Sequence, residues 1–199
     1  MKEVIERLSK IEHGFNHVQL EASNIFNTKS AEEIHPLAKE LLGNDIYQAR
    51  MLAVFLLGYL SVSESKALNV LRNVVSKDDN WRVQEILAKS FDYYCSKTGY
   101  EKSLPVINEW LSDSIPNVCR AVTEGLRIWT TRPFFDKNPK IAIQLISQHK
   151  SSESEYLRKS VGNSLRDIYK KHKYLVEKEI SGWDMDNNRI KFTYNLIVK

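Results

Sequence analysis

One pattern recurs at a near-constant interval and constrains the fold more than anything else in the chain. Stretches beginning at Ala49, Val83, Val118 and Leu157 start 34, 35 and 39 residues apart. Each opens on an apolar residue and carries another four positions on: Ala53, Leu87, Val122 and Val161. Each carries a bulky apolar residue eight positions on: Leu57, Phe91, Leu126 and Leu165. A weaker fifth copy begins at Asn188. Offsets of four and eight share one face of a 3.6-residue helix. Such a stripe is buried by stacking one helical unit on the next, so a period of this length predicts a solenoid of helix pairs. The expected fold is all-α, about six antiparallel pairs forming one domain over residues 1–199.

The face opposite the stripe carries charge. Offsets +2, +6 and +9 hold Glu85, Lys89 and Asp92, then Arg120, Glu124 and Arg127, then Lys159, Asn163 and Arg166. Stacking brings equivalent positions side by side on an extended, concave surface. Five of these nine residues are basic, so that face is expected to be basic. Each face taken singly also reads as a solvated helix surface with i,i+4 pairing. Residues 120–173 hold twelve Lys and Arg against five Asp and Glu, which places the positive field in the C-terminal half. With a net charge of +4, nucleic acid is permitted as a partner but not required.

Several function classes are excluded or disfavoured. No apolar run approaches the roughly 20 residues of a membrane span, and LAVFLLGYL at 52–60 reads as a buried helix. The start, MKEVIERLSK, reads as an amphipathic helix rather than a signal peptide. Cys95 and Cys119 are too few for a disulfide framework or a zinc site, so buried free thiols and a cytoplasmic location are expected; the chain is also expected to be a monomer. His13 and His17 form an i,i+4 pair, but no further ligand stands at a diagnostic spacing, and no metal or cofactor is expected. Phosphate-binding loops and nucleophile elbows are absent. Turn signals place helix breaks at 43–45 with Asp45 as a cap, at Gly99, before Pro116, and along an irregular stretch at 130–139.

One constellation carries chemistry. Trp81 and Glu85 lie four residues apart and project from one helix face, and Arg120 stands at the position equivalent to Glu85 in the next repeat. A ring, a carboxylate and a guanidinium together suit a cationic planar ligand bearing a phosphate. The same residues also read as an inter-repeat ion pair beside a packing tryptophan.

DNWRVQEILAKSFDYY at 79–94, NVCRAVTEGLRIW at 117–129 and YLRKSVGNSLRDIYKKHKYLVEKEI at 156–180 resemble the HEAT-like repeat DNA alkylation repair proteins of the AlkC and AlkD type. The resemblance spans about residues 45–180. It implies an all-α solenoid whose concave basic face cradles duplex DNA and, in active members, excision of N3- and N7-alkylated purines. By position, Glu85 takes the place of the catalytic Asp, Arg120 that of a phosphate-gripping Arg, and Trp81 that of the first aromatic wall. Lys89, Arg127, Lys159, Asn163 and Arg166 complete the expected DNA-binding set. Three departures stand out: Glu85 is one methylene longer than Asp, Asn163 replaces a second aromatic wall, and NIFNTKSAEEIHPLAKELL at 24–42 lacks the apolar minor-groove run. The implied function is DNA binding with excision weak or lost. The alternatives are an active alkylpurine DNA glycosylase and a helical-repeat scaffold that binds protein or peptide.

Overall fold

The computed structural model describes all 199 residues. It is all-α, with thirteen α-helices, two 3-10 turns and no strand. The fold class matches the expectation, with one helix more than the twelve read from the sequence. Contacts divide the chain into two compact units, Met1–Lys97 and Thr98–Lys199. No helix is long and apolar enough to cross a membrane.

The first unit holds α1 (Lys2–Ser9), α2 (Asn16–Thr28), α3 (Ala31–Leu42), α4 (Tyr47–Leu60) and α5 (Ser65–Asn73). A 3-10 turn at Val75–Lys77 leads into α6 (Trp81–Thr98), which closes the unit. Eleven of the fourteen residues of α4 are buried, including Leu52, Val54 and Leu56. A helix apolar all round has to be covered on several sides, and α1, α2, α3 and α5 all pack against it. The stretch 24–42 forms the end of α2 and the whole of α3, which opens on a capping box between Ser30 and Glu33.

The second unit holds α7 (Leu104–Leu111), α8 (Pro116–Gly125), α9 (Pro133–Lys137), α10 (Pro139–Ser147), α11 (Glu155–Tyr169), α12 (Lys173–Ile180) and α13 (Asn188–Ile197). A 3-10 turn at Trp129–Thr131 precedes α9. Here α11 is the hub, packed by α8, α10, α12 and α13.

The repeat is realised in α4, α6, α8 and α11. All twelve stripe positions named from the sequence are at most 2% exposed. A further equivalence was not read from the sequence. At offset +1 every copy carries a donor that reaches back to two carbonyls of the preceding turn. Arg50 Nη1 donates to Asn44 O and Asp45 O, at 2.9 and 3.0 Å. Gln84 Nε2 donates to Val75 O and Asp78 O, at 3.0 and 2.8 Å. Cys119 Sγ lies 3.4 and 3.3 Å from Leu111 O and Asp113 O. Arg158 Nη1 donates to Ser152 O and Glu153 O, at 2.6 and 3.0 Å. Turn carbonyls without a helical partner must be satisfied somewhere; here side chains of different chemistry do the same work. Offset +7 repeats as well: Ser90 Oγ donates to Val54 O and Ser164 Oγ to Thr123 O, each to the +5 carbonyl of the preceding copy.

Close helix approach explains two glycines. A Cβ on Gly58 would stand 2.5 Å from Ser90 Oγ, and one on Gly162 would stand 2.6 Å from Leu196 Cβ and 3.1 Å from Thr193 O.

Most turn signals hold. Gly99 follows α6 at φ +97°, and Pro116 opens α8. Two readings need correction. Asp45 is not a cap: α4 begins at Tyr47, and Asn44 Oδ1 accepts from the Ile46 amide instead. The stretch 130–139 is not irregular throughout, because Pro133 and Pro139 each start a helix at a position that needs no amide donor.

Candidate nucleic-acid site

Helix α6 displays the central candidates. Trp81, Glu85 and Lys89 recur every four residues, while Val83, Gln84, Ile86, Leu87 and Ala88 between them are buried. The buried residues fix the rotation of the helix and so aim the other three outward. Trp81 is 56% exposed, although tryptophans are highly buried on average. Glu85 is half-buried and Lys89 exposed.

A cavity of about 300 Å³ opens over this face, lined by Trp81, Glu85, Lys89, Phe15, Met51 and Arg82 among others. Phe15 arrives from the turn between α1 and α2, where Gly14 adopts φ +82°. Only glycine takes that conformation readily, and it lets the chain turn sharply into α2. Phe15 then rests 6.3 Å from Phe55, centroid to centroid, and the Lys89 ammonium lies 4.2 Å from the centre of its ring. Arg82 stacks on Trp81 at 4.5 Å and on Tyr47 at 5.1 Å. Cations over ring faces gain from the quadrupole and hold both partners in place. The structure therefore brings Trp81, Glu85 and Lys89 together around one cavity. It adds Phe15 and Arg82, which the sequence reading missed. Phe15 lies outside the repeats, so periodicity carried no signal for it; the adjoining Gly14 was the only local sign.

The second unit treats its candidates differently. Arg127 is held between Asp167, at 2.8 Å from Nε, and Glu124, at 3.1 Å from Nη1. Burial opposes its charge, but these bonds outweigh that and raise its pKa further. Burial likewise works against the Asp167 carboxylate, yet the Arg127 and Lys170 partners hold its pKa lower than usual. Lys159 pairs with Glu155 at 2.7 Å on one exposed helix face. Arg166 Nη2 donates to Asn163 Oδ1 at 2.9 Å. Arg120 is only 4% exposed, with its guanidinium 3.8 Å over the Tyr156 ring. The cations expected to meet phosphates here are engaged inside the unit, chiefly with carboxylates, an amide and a ring. Tyr156 and Asp167 are partners that the sequence reading did not name.

Both thiols are buried and free, as expected. No group of three or more His, Cys, Asp and Glu residues is arranged to hold a metal ion.

Comparison with known proteins agrees with this architecture. The structure of AlkD2 from Streptococcus mutans matches with a TM-score of 0.94 at 48% identity, covering 100% of this chain and 97% of that one. That of smu.31 from Streptococcus mutans UA159 matches with a TM-score of 0.92 at 46% identity, covering 100% and 98%. The Pseudomonas fluorescens alkylpurine DNA glycosylase AlkC, bound to DNA containing an abasic site analog, shares the fold at a TM-score of 0.53 and 19% identity, over 98% of this chain and 62% of that one. The uncharacterized protein YhaZ of Bacillus subtilis (strain 168) is 31% identical over 87 residues, which are 42% of this chain and 24% of that protein. The sequence profile described as DNA alkylation repair enzyme matches residues 18–182, and the chain belongs to that family.

Proposed function

We propose that this protein binds DNA through the face bearing Trp81, Glu85 and Lys89, and that its excision of alkylated bases is weak or lost. The observation that carries this reading is the state of the second unit, where Asn163 stands at the expected second aromatic wall and is tied to Arg166. Excision of a cationic purine needs little proton transfer, because the base is already a good leaving group. It needs a sugar held firmly while an oxocarbenium ion develops beside a carboxylate. Glu85 supplies a carboxylate, but with one methylene more reach than Asp and more freedom to miss that position. The phosphate grip is weakened by the same logic. Each cation already paired with a carboxylate must give up that partner before it neutralises a phosphate. Arg127 and Lys159 are so engaged, and Arg166 is held by the Asn163 amide oxygen. Duplex DNA is the proposed partner, and the protein acts as a cytoplasmic monomer without cofactor.

Full glycosylase activity is the second reading, favoured by the placement of Trp81 and Glu85 around one cavity. A single experiment separates the two. Duplex DNA carrying N7-methylguanine is incubated with wild type and with Glu85→Gln, and released base is quantified beside anisotropy binding at several salt concentrations. Salt-sensitive binding without release is expected. Release by wild type that disappears in Glu85→Gln would establish the enzyme. Failure to bind at any salt would move the search to protein and peptide partners.

A further inference from the structure

The cavity over α6 has a composition that contact with a duplex backbone does not explain. It is small, about 300 Å³, at the low end for a ligand pocket and sized for one ring system. Two aromatic side chains from different elements line it: Phe15 from the turn before α2 and Trp81 from α6. Met51 and Ile86 add an apolar surface, and Glu85 stands between Trp81 and Lys89 along the helix. Arg82 and Lys89 line the same cleft and bring two cations to it.

We infer that this cleft takes a single unpaired guanine of a nucleic-acid strand, a reading that rests on the nucleic-acid role proposed above. Every base has a face that stacks on aromatic side chains, so Phe15 and Trp81 favour a base without choosing among them. The choice falls to Glu85. An ionised carboxylate only accepts hydrogen bonds, and its two oxygens match two adjacent donors. Guanine alone presents such a pair, N1–H beside N2–H. Adenine and cytosine set a ring-nitrogen acceptor beside their amino group, which repels the second oxygen, and thymine flanks its single N–H with two carbonyls. The flanking phosphates meet Arg82 and Lys89. The Lys89 ammonium now lies over Phe15 and is released to a phosphate when a base takes that ring face.

The test uses dye-labelled eight-nucleotide single strands of thymidine with one central dG, dA or dC, or dT alone, measured by anisotropy at fixed salt. A labelled 20-base-pair duplex is measured beside them. The dG strand is expected to bind several-fold tighter than the other three. Phe15→Leu, which keeps an apolar side chain against Phe55, is expected to weaken it about tenfold, the loss of one stacking partner. Glu85→Gln is expected to erase the preference for dG, because an amide presents one acceptor and one donor in place of two acceptors. Equal binding of all four by wild type, or an unchanged dG affinity in Phe15→Leu, would overturn the inference. Were the duplex bound with steep salt dependence while the strands showed no preference, this inference would fail and the duplex reading would stand. Were the dG strand preferred but the duplex not bound, the duplex reading would fail and the cleft would stand.

Discussion

Replacing Gln84 by methionine tests whether the offset +1 donors hold the interhelical turns in place. Methionine keeps the length and volume of glutamine but offers no N–H. Gln84 is 4% exposed, so water cannot take over its bonds. Two carbonyls lose a donor. Val75 O keeps the amide of Asp78 as a partner, at 3.0 Å. Asp78 O, which is part-buried, has no second partner among the backbone bonds. A part-buried carbonyl left without its partner costs about 1–2 kcal/mol, the lower part of the range for a buried one, and a lost second bond about 0.5–1.5 kcal/mol. Against this, the change also removes Gln84 Oε1, which is buried without a partner, and that recovers about 1 kcal/mol. The net destabilisation is about 1.5 kcal/mol. For a chain of this size that lowers Tm by about 3–6 °C, measured by thermal circular dichroism. Cys119→Ser keeps a donor at the equivalent position and is expected to cost less than half as much. A Gln84→Met protein within about 0.5 kcal/mol of wild type would refute the idea that these donors satisfy the turns.

Three further outcomes follow from the same structure. Gly162→Ala forces a Cβ to 2.6 Å from Leu196 Cβ and 3.1 Å from a backbone oxygen; overpacking of about 1–3 kcal/mol exceeds the roughly 1 kcal/mol gained in helix propensity, so chemical denaturation is expected to show a lower midpoint. Burial, with the charge of Asp113 adding to it, pushes the Cys119 thiol up to about 11; neither cysteine is expected to react with a disulfide reagent at pH 8 until denaturant is added, and prompt labelling of native protein would contradict the burial. Burial lowers the pKa of His149, with a hydrogen bond to Leu111 O only partly opposing it. The unfolded chain therefore takes up a proton first as pH falls below about 6.5, and folded stability declines in that window; His149→Gln is expected to flatten the decline in denaturant midpoints between pH 7 and 5, and an unchanged slope would exclude the histidine as its source.

The repeat was legible because burial of a helix stripe is enforced at every turn, so Val83, Leu87 and Phe91 announce their own helix. Trp81 and Glu85 were legible for the same reason, as they share a face whose orientation the stripe dictates. Phe15 was not, because it enters from a turn with no period and its meaning depends on where Gly14 sends the chain. The partners of Arg127 were only half legible: Glu124 lies three residues back, at the end of α8, whereas Asp167 is forty residues distant and is brought near by packing of α8 on α11. The offset +1 donors leave no pattern in the sequence because Arg50, Gln84, Cys119 and Arg158 share a task but no chemical type.

The exposure of Trp81 has a practical consequence. The other three tryptophans are buried, Trp110 at 1%, Trp129 at 0% and Trp183 at 7%. Under red-edge excitation, or with iodide as a quencher, emission from the native protein divides into a shielded fraction from the interior and an accessible fraction from a single indole at the site. The chain thus carries an intrinsic optical probe: a ligand seated against Trp81 removes the accessible fraction, while unfolding exposes the rest, and the two events are separable without adding any label.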